Sequence, residues 1–195
     1  MRFEIGAANN SANLKLLESF RDFFGGGNIY LIGNQLYYKV TDLQTLLKVR
    51  DHFNNYFLQS TKLIYFKLWS QVLDLMVAKE HLTEKGLFKI VALKSLFPMG
   101  LNDSLIKAFS SFPLIKRPEF ISSTDSLDPN WIAGFANGDG FFSLGYIKDS
   151  RHRLGATCKP LWRITQHERD KILLERLITF LDYGSIIPPS SNRNT

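Results

Sequence analysis

Residues 131–142 decide the fold, and their sequence is Trp-Ile-Ala-Gly-Phe-Ala-Asn-Gly-Asp-Gly-Phe-Phe. Asp128 and Pro129 precede this segment and predict the start of a helix, because aspartate accepts backbone N–H groups and proline suits the first turn. Gly134 and Gly138 are four residues apart, so they share one face of that helix. A glycine inside a helix costs about 1 kcal/mol relative to alanine. These small residues therefore predict a second helix that approaches this face closely.

Asp139 would lie at the C-terminal end of the same helix, where the helix dipole disfavours a negative charge. One interpretation is an ordinary turn residue between two glycines. The other is a ligand for a divalent cation, which would stabilise a carboxylate in this environment. The position beside a closely packed helix pair favours the metal ligand.

The chain also contains an internal repeat. Residues 16–29 align with residues 173–186, and residues 3–5 align with residues 162–164. The repeated unit is predicted as a strand, a polar turn, a helix, a glycine and a second strand. Two copies so far apart in the chain indicate tandem domains rather than a solenoid.

Hydrophobic spacing predicts the remaining elements. In the first copy, a hairpin covers residues 29–31 and 36–40, and helices cover residues 43–53, 63–77 and 105–109, with another after Thr83. In the second copy, residues 141–147 and 157–165 form a long hairpin. Strand alternation places six side chains on one apolar face, which we expect in the core: Phe142, Leu144, Tyr146, Cys158, Trp162 and Ile164.

Residues 131–142 resemble the motif of the LAGLIDADG homing endonucleases, in which two such helices pack together and each ends in a metal-binding acid. Further matches are residues 163–167, residues 79–83 with Gly86, and Gly100 with Leu101. The resemblance implies an α+β protein with the LAGLIDADG homing endonuclease fold, in which αββαββα repeats form saddle-shaped antiparallel sheets over duplex DNA. It assigns residues 1–110 to a first repeat without its motif helix, residues 111–127 to a linker, and residues 128–195 to the start of a second repeat. Both repeats are therefore expected to be incomplete.

The resemblance also implies roles for individual residues. Asp139 matches the family's acid, and it would be catalytic by binding Mg²⁺ or another divalent cation. Lys39 would lie near the scissile phosphates, where a cation stabilises the charge that develops in the transition state. A second metal-binding acid is expected from a helix before Met1. Lys62 opens an apolar helix and either contacts a backbone phosphate or extends its ammonium group into solvent.

The charge of the chain suits a polyanionic partner. Lys and Arg number 24 against 18 Asp and Glu, which gives a net charge of +6 and a sequence pI of about 9.4. Five basic residues and one acid lie between residues 142 and 167, and a polar, basic ribbon of this kind can enter a major groove. The residues expected to contact duplex DNA are Tyr37, Lys39, Ser143, Gly145, Ile147, Lys148, Arg151, Arg153, Thr157, Lys159, Arg163 and Thr165.

Two functions stay open. The first is a sequence-specific double-strand DNA endonuclease of the homing type, with metal-dependent phosphodiester hydrolysis that is impaired in this chain alone. The second is a non-cleaving nucleic-acid-binding module, either a maturase-like protein that binds its host intron RNA or a decayed reading frame. The resemblance to intron-encoded members implies a mitochondrial setting.

Composition argues against two further classes, disulfide-stabilised proteins and membrane proteins. The single cysteine, Cys158, excludes an internal disulfide framework. No apolar run approaches the about 18 residues that a membrane span needs, so we expect no membrane association. No obligate protein partner is evident.

Overall fold

A computed structural model describes residues 1–109, 115–120 and 126–188. The chain divides into two compact units. Unit 1 consists of Met1–Leu58 and Lys62–Phe120, and unit 2 consists of Gln59–Thr61 and Ile121–Thr195. Part of the predicted linker, at 111–114 and 121–125, lies outside the described residues, as do residue 110 and the end of the chain, at 189–195. The repeat boundaries inferred from the family resemblance stay a prediction.

Unit 1 combines a small sheet with five helices among its described residues. Its elements, in chain order, are β1 (Phe3–Ala8), α1 (Ser11–Phe24), β2 (Asn28–Ile32), β3 (Gln35–Val40), α2 (Leu43–Asn55), α3 (Lys62–Val77), α4 (Glu84–Ser95) and α5 (Asp103–Ala108). A short 3-10 turn at Glu80–Leu82 lies between α3 and α4. All of the helices and strands predicted for the first copy are confirmed.

The sheet of unit 1 is antiparallel, with strand order β1-β3-β2. Leu36, Tyr38 and Val40 point inward from β3 and are at most 5% exposed. They pack with Leu17 and Phe24 of α1, Leu46 and Val49 of α2, and Leu73 of α3. Helices therefore cover the apolar face of this sheet, while its other face is left to polar side chains.

Gly27 lies where the backbone passes close to the side chain of Tyr38, and this close approach explains why the residue is a glycine. The Tyr38 hydroxyl donates to the carbonyl oxygen of Gly26 at 2.8 Å. The next residue, Gly27, has φ +85, and a Cβ there would meet the Tyr38 ring, the Val40 side chain and the Lys39 carbonyl oxygen. Burial of the phenol raises the pKa of Tyr38.

Unit 2 contains the predicted motif helix and long hairpin. Its elements are α6 (Pro129–Asp139), β4 (Gly140–Lys148), β5 (Ala156–Ile164), a short 3-10 turn (Glu168–Asp170) and α7 (Lys171–Leu181). The core of this unit is formed by four buried residues of α7, α6 and the segment before it: Leu127, Ile132, Leu173 and Leu177. Ile164, at the end of β5, packs against that core.

Two helices begin at aspartate caps, and the cap predicted at Asp128 is confirmed. The Asp128 carboxylate accepts from the backbone N–H of Asn130 and of Trp131, at 2.7 and 3.1 Å. Asp42 caps α2 by accepting from the Thr45 N–H at 2.8 Å. These bonds satisfy backbone groups that the first helical turn leaves without partners.

A polar contact ties the segment 59–61 into unit 2. Asp170 is 5% exposed, and its carboxylate accepts from the backbone N–H of Thr61 at 2.7 Å and from the Thr61 hydroxyl at 3.3 Å. Arg176 of α7 donates to the side-chain oxygen of Gln59 at 2.7 Å. A buried carboxylate with two donors is satisfied, so its removal would leave the Thr61 N–H unpaired.

The expected burial of the hairpin's apolar face is wrong. Its members do share one face, because Phe142 pairs with Trp162 and Tyr146 with Cys158 across the two strands. However, Phe142, Leu144 and Tyr146 are 73%, 77% and 67% exposed, and Cys158 is exposed rather than in the core. The reason is that the described helices of unit 2 pack at the base of the hairpin, on Ile164, and not along its length.

Candidate nucleic-acid interface

Asp139 lies where a helix meets a strand. It is the last residue of α6, it is exposed, and Gly140 begins β4 directly after it. A Cβ on Gly140 would collide with the Ala136 carbonyl oxygen and approach the Trp162 indole nitrogen at 3.0 Å. Glycine is therefore required at this junction, and it fixes the place of the Asp139 carboxylate at the base of the hairpin.

Gln166 holds the Asp139 carboxylate. The Gln166 side-chain N–H donates to Oδ2 of Asp139 at 2.8 Å, and Gln166 lies two residues beyond the end of β5. Sequence reasoning misses this contact, because the two residues are 27 positions apart. The sequence feature that could have indicated it is the polar pair Thr165-Gln166, at the point where the alternation of β5 ends. The bond orients one oxygen of Asp139 and leaves Oδ1 for another ligand.

The described residues do not form a complete metal site. Within residues 1–109, 115–120 and 126–188, no group of three or more His, Cys, Asp or Glu side chains could hold an ion. A divalent cation such as Mg²⁺ prefers octahedral oxygen ligands and is bound through one or two carboxylates with waters and substrate phosphates. The carboxylate of Asp139 has the chemistry of one such ligand, and the described residues place it in no group of three or more potential ligands.

The small-residue face of α6 is open. A Cβ added at Gly134 or at Gly138 would meet no atom of the described residues within 4 Å. The partner helix that the spacing of these glycines predicts is therefore not found in the part of the chain that the structure describes. Asn137 is exposed on this helix as well.

The polar face of the β4–β5 hairpin has the composition that the sequence predicts. Cross-strand register pairs Ser143 with Leu161, Gly145 with Lys159, and Ile147 with Thr157. Arg163 pairs with Phe141 on the same face, and Thr165 follows just beyond the strand. We call this set the polar hairpin face, and its members are Phe141, Ser143, Gly145, Ile147, Thr157, Lys159, Leu161 and Arg163.

Two cations on the polar hairpin face are available for a partner. Lys159 and Arg163 are both exposed. Among the residues that the structure describes, neither has an ion-pair or hydrogen-bond partner. Because side chains on one face of a strand recur every second residue, the two cations are spaced along one line of the ribbon. This line is the strongest candidate for contact with a polyanion.

The tip of the hairpin is partly neutralised. Arg151 donates two hydrogen bonds to the Asp149 carboxylate, at 2.9 and 2.8 Å, and the Arg151 backbone N–H donates a third at 3.0 Å. These bonds hold the pKa of Asp149 below its ordinary value. Arg153 is exposed in the same turn, and Lys148 lies by register on the apolar face, opposite Ala156.

The outward face of the sheet in unit 1 carries a row of three polar residues. Glu4 of β1, Lys39 of β3 and Asn28 of β2 are direct cross-strand neighbours. The Lys39 ammonium is 3.3 Å from a Glu4 carboxylate oxygen, and it lies 5.1 Å from the centroid of the Tyr37 ring and 5.6 Å from that of Tyr30. Tyr37 and Lys39 both alternate with the buried residues of β3 and so point outward, as contact with a partner would require, but sequence reasoning misses Glu4.

The position of Lys62 is determined by its neighbour in the sequence, Thr61. It is the first residue of α3 and directly follows Thr61, which donates twice to the buried Asp170. Lys62 also interacts with other residues.

A search of the described residues for membrane-spanning helices finds none with the length and hydrophobicity that a span requires.

The sequence matches the pattern of one protein family, described as LAGLIDADG endonuclease, over residues 1–73 and 132–195. Among curated proteins, the chain is 31% identical over 180 residues to "Probable intron-encoded endonuclease 3" of Neurospora crassa. That alignment covers 91% of this chain and 34% of the relative. The chain thus spans about a third of the length of this curated relative.

Solved structures have the same fold. I-SmaMI, bound to its uncleaved DNA target in the presence of calcium ions, is 38% identical with a TM-score of 0.87, covering 97% of this chain and 64% of that protein. The LAGLIDADG homing endonuclease I-LtrWI, bound to target DNA, is 34% identical with a TM-score of 0.86, covering 98% of this chain and 64% of that protein. These similarities confirm the predicted fold class.

Proposed function

Because the chain belongs to the LAGLIDADG endonuclease family, we propose that it acts in sequence-specific recognition and metal-dependent cleavage of duplex DNA, as a homing endonuclease. The observation that carries the proposal is the polar hairpin face, with its two available cations, next to the oriented carboxylate of Asp139. A groove-binding ribbon and a metal-binding acid on one small unit are the two parts that this reaction needs.

DNA binding would use the polar hairpin face and the tip of the hairpin differently. Arg163 and Lys159 would donate to guanine edges in the major groove, with Ser143 and Thr157 as smaller donors and acceptors. Arg153, Lys148 and the tip would contact backbone phosphates, which position the protein without carrying sequence information. Tyr37 and Lys39 would make the corresponding contacts from the sheet of unit 1.

Asp139 would provide one ligand of a divalent cation. When bound, such a cation stabilises charge on phosphate oxygens and makes a bound water a better nucleophile. Gln166 would keep the Asp139 carboxylate in one orientation, because its N–H occupies Oδ2. Since the described residues contain one carboxylate of this site, we expect the 195-residue chain to cleave poorly without a second acid.

A cation near the reacting phosphate is the third part of the proposal, and two lysines are candidates. The family resemblance points to Lys39, whose ammonium is already paired with Glu4. The chain points to Lys62, which directly follows a segment held by the buried Asp170. Lys39→Ala and Lys62→Ala separate them, because replacing the catalytic lysine should lower the single-turnover cleavage rate without changing the affinity for the same duplex.

A non-cleaving role is the second candidate function, and one specific observation favours it. No group of three or more His, Cys, Asp or Glu side chains among the described residues could hold an ion, and Asp139 is the one metal ligand that we propose, whereas two-strand cleavage would need a second acid. A protein that keeps the basic ribbon without cleavage could bind host intron RNA as a maturase-like splicing factor. A competition assay would distinguish the two uses. It would measure how a duplex and the intron RNA compete for binding to the purified chain, and would repeat the measurement with a variant mutated on the polar hairpin face.

The setting proposed for the protein is the mitochondrion. The curated relative is a fungal protein named as intron-encoded, and fungal introns with such reading frames suit an organelle genome. Detection of the coding sequence in purified mitochondrial DNA, against a nuclear DNA control, tests this directly.

Cleavage and binding are tested in one experiment. The 195-residue chain is mixed with a pool of long duplex fragments and Mg²⁺, and both retention and cutting are measured over a salt series. We expect retention that falls steeply as salt rises, because several Lys and Arg displace counterions from DNA, and little cutting. A flat salt response would remove DNA as the partner, and robust cutting abolished by Asp139→Asn would show that no second acid is required.

A further inference from the structure

We infer that Glu4 and Lys39 act together as a specificity element that recognises one C·G base pair, with Glu4 on the cytosine and Lys39 on the guanine. The inference rests on the proposed DNA binding and adds the identity of one base pair in the target. It assigns a function to Glu4, an acidic residue in the middle of a surface that is otherwise expected to attract a polyanion.

The two residues are built as a pair. They are direct cross-strand partners in the β1–β3 register, and both point away from the core, since their neighbours Phe3, Ile5, Tyr38 and Val40 point inward. Their charged atoms are 3.3 Å apart. The sheet thus presents an acceptor and a donor side by side at one position of its outward face.

The pair is held in place by its surroundings. The side chains of Lys39 and Glu4 are 20% and 27% exposed, much less than an ordinary surface ion pair. The rings of Tyr37 and Tyr30 lie within about 6 Å of the ammonium, which is the range of a cation–π contact. Arg2 approaches the same carboxylate at 3.5 Å. Both charged groups are therefore ordered before any partner binds.

Stability does not account for this arrangement. Exposed ion pairs contribute about 0–1 kcal/mol, and for ion pairs removed from solvent the cost of desolvation offsets much of the attraction. The stability of the sheet therefore does not require a charged pair at these partly exposed strand positions. A carboxylate on a DNA-binding surface also repels phosphates. A carboxylate on this surface would nevertheless contribute to recognition by accepting a hydrogen bond from a base. Cytosine N4 is such a donor, and glutamate is a side chain suited to accept from it.

The chemistry of the base pairs selects C·G. In the major groove, guanine offers two acceptors, O6 and N7, to an ammonium, while its partner cytosine offers one donor to a carboxylate. An A·T pair offers a donor on adenine, but thymine offers one acceptor next to a methyl group. A G·C pair in the opposite orientation would place the guanine acceptors against Glu4 and is rejected.

The test is a selection of bound sequences from a randomised duplex library by the 195-residue chain. The charge-swapped variant Glu4→Lys with Lys39→Glu keeps the ion pair and the net charge but exchanges donor and acceptor. We expect the wild-type chain to prefer C·G over G·C at one position, and the swapped variant to reverse that preference, each by about tenfold. The matched control is Lys116→Glu with Glu119→Lys, which swaps an exposed ion pair on another part of unit 1 and should leave every preference unchanged.

Other outcomes are informative. Glu4→Gln avoids any risk that the swapped pair disturbs folding, and it should lose discrimination at that one position while its neighbours keep theirs. If neither variant changes any position of the selected sequence, the inference is wrong, while the proposed function stands. If the wild-type chain selects no sequence, the proposed DNA recognition fails, and this inference fails with it. A change in cleavage rate without a change in preference would assign Lys39 to the reacting phosphate instead.

Discussion

The two units use the same strand alternation with opposite results. In unit 1, inward side chains of β3 are buried under α1, α2 and α3, and Tyr38 and Val40 have no exposed surface. In unit 2, the equivalent side chains of β4 and β5 form an apolar face that is largely exposed. Alternation therefore determines which residues share a face, but burial depends on which helices pack against it.

The largest expected effect follows from two matched leucines. Leu36 of β3 is 5% exposed and Leu144 of β4 is 77% exposed. Leu36→Ala should lower the free energy of unfolding by about 2–5 kcal/mol, because it leaves a cavity in the core of unit 1. Leu144→Ala should change it by less than about 0.5 kcal/mol. Urea denaturation followed by circular dichroism measures both, and equal losses would contradict the comparison.

Unit 2 adds a buried polar contact to its hydrophobic core, and Asp170→Ala should break that contact. The variant leaves the backbone N–H of Thr61 without its partner, and a loss of about 2–3 kcal/mol is expected in the same denaturation assay. Asp170→Asn keeps an acceptor and should recover part of that loss. The control is Glu168→Ala, an exposed residue of the same turn. A loss from the control as large as that from Asp170→Ala would show that the turn, and not the buried carboxylate, matters.

Two glycines around Asp139 should respond with opposite signs. Gly140→Ala would force a methyl group against the Ala136 carbonyl and the Trp162 ring, and overpacking of this kind costs about 1–3 kcal/mol. Gly138→Ala enters open space on a helix and should stabilise it by up to about 1 kcal/mol. Thermal unfolding of both variants checks the signs, and destabilisation by Gly138→Ala would mean that another segment packs on that face.

The sequence predicts local features of both units well. Asp42 and Asp128 cap their helices, and the hairpin registers follow the alternation, because these features depend on residues close in the chain. Sequence reasoning does not predict three contacts, because each joins residues that are far apart in the chain: Gln166–Asp139, Glu4–Lys39 and Thr61–Asp170. The exposed apolar face was mispredicted for the same reason, since nothing within the hairpin specifies which helices cover it.

The smallest expected effect is a pH-dependent cap in unit 1. The Thr45 backbone N–H, and then the Thr45 hydroxyl, hold the pKa of Asp42 below its ordinary value of 3.8. The stability from this cap is therefore complete above that value and is lost as the pH falls through the lowered pKa. Asp42→Ala should cost about 1 kcal/mol at neutral pH, and this difference from wild type should shrink in acid. A difference that does not change with pH would rule out the ionised cap.

The central claim is that duplex DNA binds the polar hairpin face of unit 2, and one binding measurement tests it most directly. Lys159→Glu with Arg163→Glu is compared with Lys85→Glu with Lys94→Glu, which reverses two exposed lysines of α4 and changes the net charge equally. Fluorescence anisotropy with a labelled duplex at fixed salt should show about 100-fold weaker binding for the hairpin variant, given about 1–3 kcal/mol per base contact. The α4 variant should stay within about threefold of wild type, because general charge alone is largely screened at physiological salt. Equal losses in the two variants, or no loss in the hairpin variant, would contradict the claim.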